Sequence, residues 1–490
     1  MNTSKLWASS AMMLALSACA TLPINESELS NAVDINSQWQ ASGEQMLAVQ
    51  DGWLDDLAME ELSSFVAEVM RSNPNYNEVA LRMQAAGFNA DAARGRLLPR
   101  IGASGSAGRT GVESPVENTS NSFSLGLDAS WEADVWGKLS ANAAVARSTY
   151  EVAEYDFYGA RLSLAAQVAQ SWFDVIEAKQ QLDLSTSTVE NYERATTIIR
   201  HRFERGLSSG LDLRLSITTL EAEKAREKQR ETTYRQALRK IELFAGRYPS
   251  ASIAVSGEIP DQLIEIPVGV PLDLLERRPD LQSAKSRLYG AGYRSQAANK
   301  ALLPSISITA RGSNTSEEFG QLLKFDNIFW NLVGGIAQPI FQGGQLRYSA
   351  KAEQMNFEAQ KQNYAQTLLR AFKEVEDALD NDRSLAERVE HTALAAENAI
   401  AAEQVALEQY SQGLIRISTL LQSQRSSLTQ QSQLLNIKKQ RINNRISLYL
   451  SLGGDFSSNN ATNTQENANI QIEEVQTDDT ISTDNEALTP

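Results

Sequence analysis

The sequence contains two copies of one pattern, and the second copy begins 205 residues after the first. Residues 73–99 and 278–304 both begin with an X-Pro pair and both end in Leu-Pro. Each copy then continues with two short alternating segments, a very long helical segment, a glycine turn and another helical segment. A duplication of this size restricts the fold to two related halves of one elongated molecule.

The net charge of the chain argues against a nucleic-acid partner. The chain carries 45 Lys and Arg against 61 Asp and Glu, a net charge of −16, and a basic surface is what nucleic-acid binding needs. We therefore expect no nucleic-acid partner. After the N-terminus no run of eighteen or more apolar residues occurs, so the sequence predicts no transmembrane helix.

The N-terminus has the pattern of an export signal. Lys5 precedes a short apolar run, and this run ends in Leu-Ser-Ala-Cys at Cys19, the only cysteine of the chain. The tetrapeptide resembles a bacterial lipobox, which predicts a signal peptide over 1–18 and lipidation of Cys19. Ala20 resembles the outer-membrane sorting choice of bacterial lipoproteins. An ordinary signal peptide with an unmodified cysteine is the alternative.

The opposite end, residues 456–490, carries seven acidic residues and no Lys or Arg. Such a segment buries too little apolar surface to fold, so we predict a disordered acidic tail without an assigned role.

Long helices dominate the prediction. Residues 138–205 contain no proline, and one helix of that length extends roughly 100 Å. Apolar residues recur every seven positions from Val168 to Val189, with small residues three positions later, as in a coiled coil. The predicted long helices are 138–205, 211–246, 344–411 and 417–452. A periplasmic structural scaffold is the alternative that helices alone leave open.

Alternating segments argue against a scaffold. Odd-numbered residues from Phe123 to Trp131 are all apolar, and the intervening ones are Ser, Gly or Asp. This is the pattern of a membrane β-strand that ends in an interfacial aromatic residue. We predict strands near 101–111, 122–132, 305–312 and 329–338. Four strands cannot close a barrel in lipid, so several chains must share one wall, and three chains would give twelve strands.

Four motifs then point to a family. They are Glu-Ala-Asp-Val-Trp-Gly at 132–137, Gln-Pro-Ile-Phe-Gln-Gly-Gly at 338–344, and the glycine turns at 206–214 and 413–421. In this order and spacing they resemble the outer membrane factor family, the TolC-type channels, and most closely its NodT-like lipoprotein branch. The resemblance covers roughly residues 50–455.

The resemblance implies a mainly α-helical chain with a small membrane β-barrel part. Three chains would form a twelve-stranded barrel that a long periplasmic α-helical barrel continues. The expected divisions are a signal peptide (1–18), a lipidated segment (19–57), a first repeat (58–246), an equatorial linker (247–270), a second repeat (271–455) and the tail (456–490).

Function is expected at the glycine turns, which the resemblance places at the periplasmic tip. Apolar residues surround them where polar residues are usual, and we expect them to dock a periplasmic adaptor. Local packing of the turns is the alternative. The predicted docking residues are Gly206, Leu207, Leu211, Gly413, Leu414 and Ile415.

A gate is expected next to these turns. In the family an Asp after the first turn pairs with a Tyr before the second, and Asp212 and Tyr410 occupy those positions, with Arg416 nearby. Where many relatives have acidic rings, this chain has Thr419 and Gln422. Cation selection at this aperture is therefore in question, unless Asp382 or Glu403 replaces those acids.

The resemblance implies a passive outer-membrane duct for small molecules such as drugs or toxic compounds. Its expected partners are two further copies of the chain, outer-membrane lipid, a periplasmic adaptor and an inner-membrane transporter of the RND type. We predict no catalytic residue, cofactor or metal, because His201 and His391 lack further ligands at metal spacing. Protein export by a type I secretion system is the alternative within the family.

Overall fold

The structure is a computed structural model that describes residues 39–41, 51–57, 59–112, 118–260, 271–322, 324 and 328–456. It divides into two compact units. Residues 78–158 and 279–370 belong to a unit that contains the β-sheet, here called the strand unit. The described residues of 39–77, 159–278 and 371–456 belong to the other, here called the helical unit.

The elements repeat in kind and in length. In chain order they are α1 (Trp53–Asp56), α2 (Glu60–Ser72), α3 (Pro74–Gly95), β1 (Arg100–Val112), β2 (Asn118–Ala133), α4 (Lys138–Glu204), α5 (Gly210–Phe244), α6 (Leu274–Arg277), α7 (Pro279–Lys300), β3 (Ser305–Ser316), β4 (Phe329–Ala337), α8 (Gln345–Gln412) and α9 (Ile417–Ser451). Helices α3 and α7 both have 22 residues, α4 and α8 have 67 and 68, and α5 and α9 both have 35. The four long helices lie within two residues of the bounds expected from sequence, whereas β2 begins four residues before and β3 ends four residues after the expected strand.

The four strands form one antiparallel sheet in the order β1-β2-β3-β4. Asp128 on β2 lies opposite Gly102 on β1 and Arg311 on β3, while Leu127 lies opposite Ala103 and Gly312. Because partners in register share a face, one face is mostly Ser, Thr, Gly, Asp and Arg and the other mostly apolar, although Phe329 and Val333 of β4 fall on the polar face.

The apolar face of the sheet is exposed within the single chain. Its large members Ile101, Leu125, Leu127, Leu332 and Ile336 all have accessible side chains. An apolar band outside and a polar face inside is the pattern of a membrane barrel. Within the described residues β1 and β4 each have one strand neighbour, so each leaves an unpaired edge.

In both copies a side chain donates a hydrogen bond to the turn between the 22-residue helix and the next strand. The Trp131 indole donates to the carbonyl of Leu97 at 2.9 Å, and the Gln338 amide donates to the carbonyl of Leu302 at 3.0 Å. Leu97 and Leu302 both follow a 22-residue helix. These side chains therefore satisfy carbonyl groups that a helix end leaves without a partner.

Asp134 explains why α4 begins where it does. Its carboxylate accepts hydrogen bonds from the backbone N–H groups of Leu139 and Ser140, both at 2.8 Å, and from the Ser140 hydroxyl at 2.5 Å. A carboxylate in this position satisfies the free N–H groups of the first turn and favours the positive end of the helix dipole.

The core of the helical unit lies where four helices meet. Leu62 of α2, Phe173 of α4, Ile241 of α5 and Ile446 of α9 are fully buried in one cluster. Val168 is also fully buried there, as expected for a residue of the seven-residue stripe. Among the described residues, no helix is at once long enough and apolar enough to span a membrane.

Two segments outside the helices are held by single carboxylates. Glu242 accepts hydrogen bonds from the backbone N–H groups of residues 251–253, at 2.7 to 3.1 Å. Glu376 accepts the N–H groups of Gln40 and Ala41, both at 2.8 Å. Of the expected linker over 247–270, residues 261–270 lie outside the described residues.

Candidate functional site

Two helix–turn–helix tips in the helical unit have matching geometry. Gly206, between α4 and α5, has φ of 72°, and Gly413, between α8 and α9, has φ of 79°. In the first tip the N–H of Leu207 donates to the Arg202 carbonyl at 2.8 Å, and in the second the N–H of Leu414 donates to the Gln409 carbonyl at 2.9 Å. Both glycines use the left-handed conformation that ends a helix with least strain.

The helices that leave the two turns are capped differently. At the start of α5 the Ser209 hydroxyl accepts the Asp212 N–H at 3.1 Å, and the Asp212 carboxylate accepts the Ser209 N–H at 3.2 Å. This is a capping box, which stabilises the first turn of a helix. At the start of α9, Arg416 is the N-cap and makes no side-chain cap hydrogen bond.

Asp212 and Tyr410 share no direct hydrogen bond in the described part of the chain. The Ser208 hydroxyl lies between them, 3.1 Å from Asp212 Oδ2 and 3.4 Å from the Tyr410 hydroxyl oxygen. In this chain the link between them runs through Ser208, whose hydroxyl contacts the Asp212 oxygen that also accepts the Ser209 N–H. Tyr410 itself is buried against Ile199 and Leu420.

The apolar residues of the tips fall into two groups. The side chains of Leu207, Leu211 and Leu414 are 62%, 67% and 69% exposed. Ile415 differs, because it packs against the cluster around Tyr410. Exposed leucines at a helix tip create an apolar surface that a monomer does not need for folding.

Phe203 and Leu215 extend this surface, and the sequence analysis did not select them. Both are partly exposed. Each lies four residues from a predicted docking residue, Phe203 before Leu207 and Leu215 after Leu211. Leu211 and Leu215 share a face of α5 because they are four residues apart on one helix, and this spacing was the signal for Leu215. Phe203 lies in the last turn of α4 and Leu207 in the turn that follows, so no helical spacing identified Phe203. We call Phe203, Leu207, Leu211, Leu215 and Leu414 the tip patch.

The aperture residues are polar and accessible. Thr419 and Gln422 are both exposed near the start of α9. Asp382 is paired with Arg445, through contacts of 2.7 and 2.9 Å, so it does not replace an acidic ring as a free carboxylate. Burial raises the pKa of Glu403, although the Ser427 hydroxyl lowers it.

The histidines and the lipidation site complete the predicted set. The ring of His201 is exposed and contacts Glu204 on its own helix, 3.2 Å away, and His391 is exposed on α8. No cluster of three or more His, Cys, Asp or Glu residues that could hold a metal ion occurs in the described ranges. Cys19 lies outside the described residues.

The comparisons with known proteins cover nearly the whole chain. The model of the outer membrane efflux protein family matches residues 66–247 and 270–454. The cation efflux system protein CusC of Escherichia coli strain CFT073 is 27% identical over 455 residues, which are 90% of this chain and 97% of that protein. The probable outer membrane lipoprotein SilC of Salmonella typhimurium is also 27% identical, over 83% of this chain and 88% of that one.

A solved structure gives the same fold. The Campylobacter jejuni CmeC outer membrane channel superposes with a TM-score of 0.82, at 22% identity, over 92% of this chain and 98% of that one. The four-stranded sheet with an exposed apolar face and the paired long helices are the elements of this fold. The chain belongs to the outer membrane efflux protein family.

This assignment confirms the fold class, the general function and the location expected from sequence. The fold is that of the trimeric outer-membrane efflux channels, with four strands from each chain. The protein is an outer-membrane channel component of the efflux type. The relatives are channel proteins rather than enzymes.

Proposed function

We propose that this protein is the passive exit duct of a tripartite pump that expels small toxic molecules, drugs or cations, across the outer membrane. The observation that carries the proposal is the pairing of a two-faced membrane sheet with exposed apolar helix tips in one chain of this family. The duct does no chemistry of its own. The energy for transport comes from an inner-membrane transporter, which we propose to be of the RND type.

The tip patch is the proposed contact with a periplasmic adaptor. Three of its leucines, at 207, 211 and 414, are more than half exposed around the two turns. Burial of an exposed leucine on binding contributes roughly 1.5–3 kcal/mol, so a few of them suffice for a specific contact. The helical hairpin ends of an adaptor would supply the matching apolar surface.

Replacement of Leu207 and Leu211 by Asp tests this contact. We expect efflux to fall to the level of a strain without the protein, while outer-membrane abundance and trimer formation stay unchanged. The matched control is replacement of the exposed Thr232, which lies on α5 more than four turns beyond Leu215, by Asp. Normal efflux in the double variant would contradict the adaptor contact.

The glycines of the turns provide a second test. A bulky residue at Gly206 or Gly413 must adopt positive φ, which distorts the tip. We expect loss of efflux with intact export and intact trimers. Normal efflux in both variants would argue against a role of the turns in docking.

Anchoring is proposed to use lipidated Cys19. A single acyl chain holds a protein to a bilayer only marginally, whereas several together hold it firmly. Labelling of cells with a fatty-acid probe should mark the wild-type protein, and Cys19→Ser should remove the label. A label that persists in the variant would contradict the proposal.

Channel activity is tested directly in a planar bilayer. We expect purified trimers to be nearly closed and to conduct ions after changes that loosen the periplasmic tip. Monomeric protein that passes no current even after such changes would overturn the proposed function.

A further inference from the structure

One arginine lies between the two tips and contacts both. Arg202 is in the last turn of α4, and its Nη1 atom donates to the Ser411 carbonyl at the end of α8, at 2.7 Å. Its Nη2 atom lies 3.4 Å from the carbonyl of Leu207 in its own turn. One side chain therefore serves backbone carbonyl groups of two turns that are about two hundred residues apart in sequence.

The guanidinium also lies against the second tip. Its carbon atom lies 5.5 Å from the centre of the Tyr410 ring, within the range of a cation–π contact. The Nε atom is buried and has no hydrogen-bond partner in the part of the chain that the structure describes. Arg202 is thus inserted between the tips rather than extended into solvent.

Gly413 is shaped to admit this side chain. A Cβ atom at position 413 would lie 3.1 Å from Arg202 Nη2, whereas a Cβ atom at Gly206 would meet nothing within 4 Å. Both positions have positive φ, so the backbone conformation already accounts for glycine at each of them. Only at Gly413 does the close approach of Arg202 add a second reason for glycine.

The two copies differ at this position. Gln409 is the equivalent of Arg202, because its carbonyl accepts the matching N–H group in the second turn. A neutral amide replaces the guanidinium there. The arginine of the first copy alone supplies a cation with several donors to the carbonyl end of the opposite helix, where a positive charge is favourable.

We propose that Arg202 is a positioning residue that ties the two tips of one chain together and thereby favours the closed channel. The predicted effect on conduction rests on the proposed channel function, whereas the link between the two tips does not. Loss of Arg202 should free the second tip from the first and raise the population of open channels. The Ser208 link between Asp212 and Tyr410 then remains as the weaker connection.

Hydrogen exchange on purified trimers in detergent tests the coupling without any current. We expect Arg202→Ala to speed exchange about tenfold at residues 408–416 as well as at 203–208, since loss of a charge-assisted hydrogen bond shifts a local opening by about that factor. Exchange in the core around Phe173 should stay unchanged. Exchange at 408–416 equal to that of the wild type would overturn the proposal.

A conservative variant separates coupling from general damage. Arg202→Lys keeps the charge but lacks the planar fork that reaches two carbonyl groups, so we expect partial restoration at one turn only. Arg200→Ala, an exposed arginine on the same helix, is the control that should change nothing. Should Arg202→Ala not assemble, the exchange pattern of the Lys variant decides, and wild-type exchange at both turns would refute the proposal.

Bilayer recordings distinguish the two proposals. If Tyr410→Phe conducts and Arg202→Ala stays as closed as the wild type, the coupling proposal is wrong and the channel proposal stands. If no variant conducts while exchange rises at both turns, the coupling is supported and the channel proposal fails.

Discussion

Gly246 and Gly453 hold equivalent positions at the ends of α5 and α9, with φ of 67° and 69°. A Cβ atom at 246 would lie 2.9 Å from the carbonyl oxygen of Ser72, and one at 453 would lie 2.9 Å from the carbonyl carbon of Arg277. Ser72 and Arg277 are 205 residues apart, the same offset as the sequence repeat. The duplication is therefore conserved in contacts as well as in sequence.

The neighbouring residues repeat the same contact with different chemistry. The amide of Asn73 donates to the Phe244 carbonyl at 2.8 Å, and the guanidinium of Arg278 donates to the Ser451 carbonyl at 3.0 Å. Each donor precedes the proline that begins a 22-residue helix. An amide and a guanidinium thus satisfy the same orphan carbonyl of a helix end.

Gly246→Ala and Gly453→Ala should each destabilise the helical unit. Positive φ and backbone overlap together should cost on the order of 2–4 kcal/mol, measured as a lower midpoint of thermal loss of helicity. Gly343→Ala is the matched control, because Gly343 has φ of 60° but nothing within 4 Å of its Cβ position. An equal loss in all three variants would show that backbone overlap contributes nothing.

Asp382→Asn should destabilise the helical unit through Arg445. The Arg445 side chain is 9% exposed and that of Asp382 is 20% exposed, so removal of the carboxylate leaves a buried charge with its main partner gone. We expect a loss of about 3–5 kcal/mol in the free energy of unfolding by denaturant. Glu78→Gln breaks the exposed pair with Arg82 and should cost at most about 1 kcal/mol. Similar losses of stability in Asp382→Asn and Glu78→Gln would contradict the larger contribution of the buried pair.

Ser208→Ala and Tyr410→Phe should have the same effect on leak current. Both remove the contact of 3.4 Å between the two hydroxyl groups, and a neutral hydrogen bond contributes about 0.5–1.5 kcal/mol. We expect open probability in planar bilayers to rise between about twofold and tenfold. The double variant should not exceed either single one, and additive effects would show that the hydroxyl groups act independently.

Glu242 should make stability depend on pH. Burial acts to raise the pKa of its carboxyl, but hydrogen bonds from Ala251, Ser252 and Ile253 hold the pKa below its ordinary value of 4.5. The stabilisation is therefore complete above that value and is lost as pH falls through the lower pKa of the folded state. The difference in melting temperature between wild type and Glu242→Gln should be constant at neutral pH and shrink below pH 4.5. A difference that grows with acidity would contradict the assigned direction.

Arginine should be tolerated on one face of the sheet only. Leu127 lies on the apolar face and Thr309 on the polar face. Leu127→Arg near the middle of the bilayer should cost about 2–4 kcal/mol, while Thr309→Arg faces water. We expect heat-modifiable trimers on gels to be depleted in the first variant and normal in the second. The reverse result would invert the assignment of the faces.

Periodicity made the sheet and the long helices predictable, because period two separates the two faces of a strand and a seven-residue stripe marks one face of a helix. The alternation from Phe123 to Trp131 corresponds to β2, and Val168 of the stripe is fully buried. The glycine turns were visible for a similar reason, since positive φ restricts the residue type.

Contacts between distant segments were not predictable in the same way. Arg202 reads as one more helix arginine, and only the folded chain brings it to Ser411. Ser208 was overlooked because a short hydroxyl side chain gives no pattern. Asp212 was assigned to the gate; its carboxylate also caps the first turn of α5 and reaches Tyr410 only through the Ser208 hydroxyl.

The free edges of β1 and β4 have a genetic consequence. Because the edge strands of each subunit pair with those of its neighbours, one defective subunit affects the whole trimer. A variant subunit that assembles normally but cannot open would inactivate every mixed trimer that contains it. At equal expression and random assembly, only about one trimer in eight would consist of three wild-type subunits. Such an allele should therefore be dominant over the wild type.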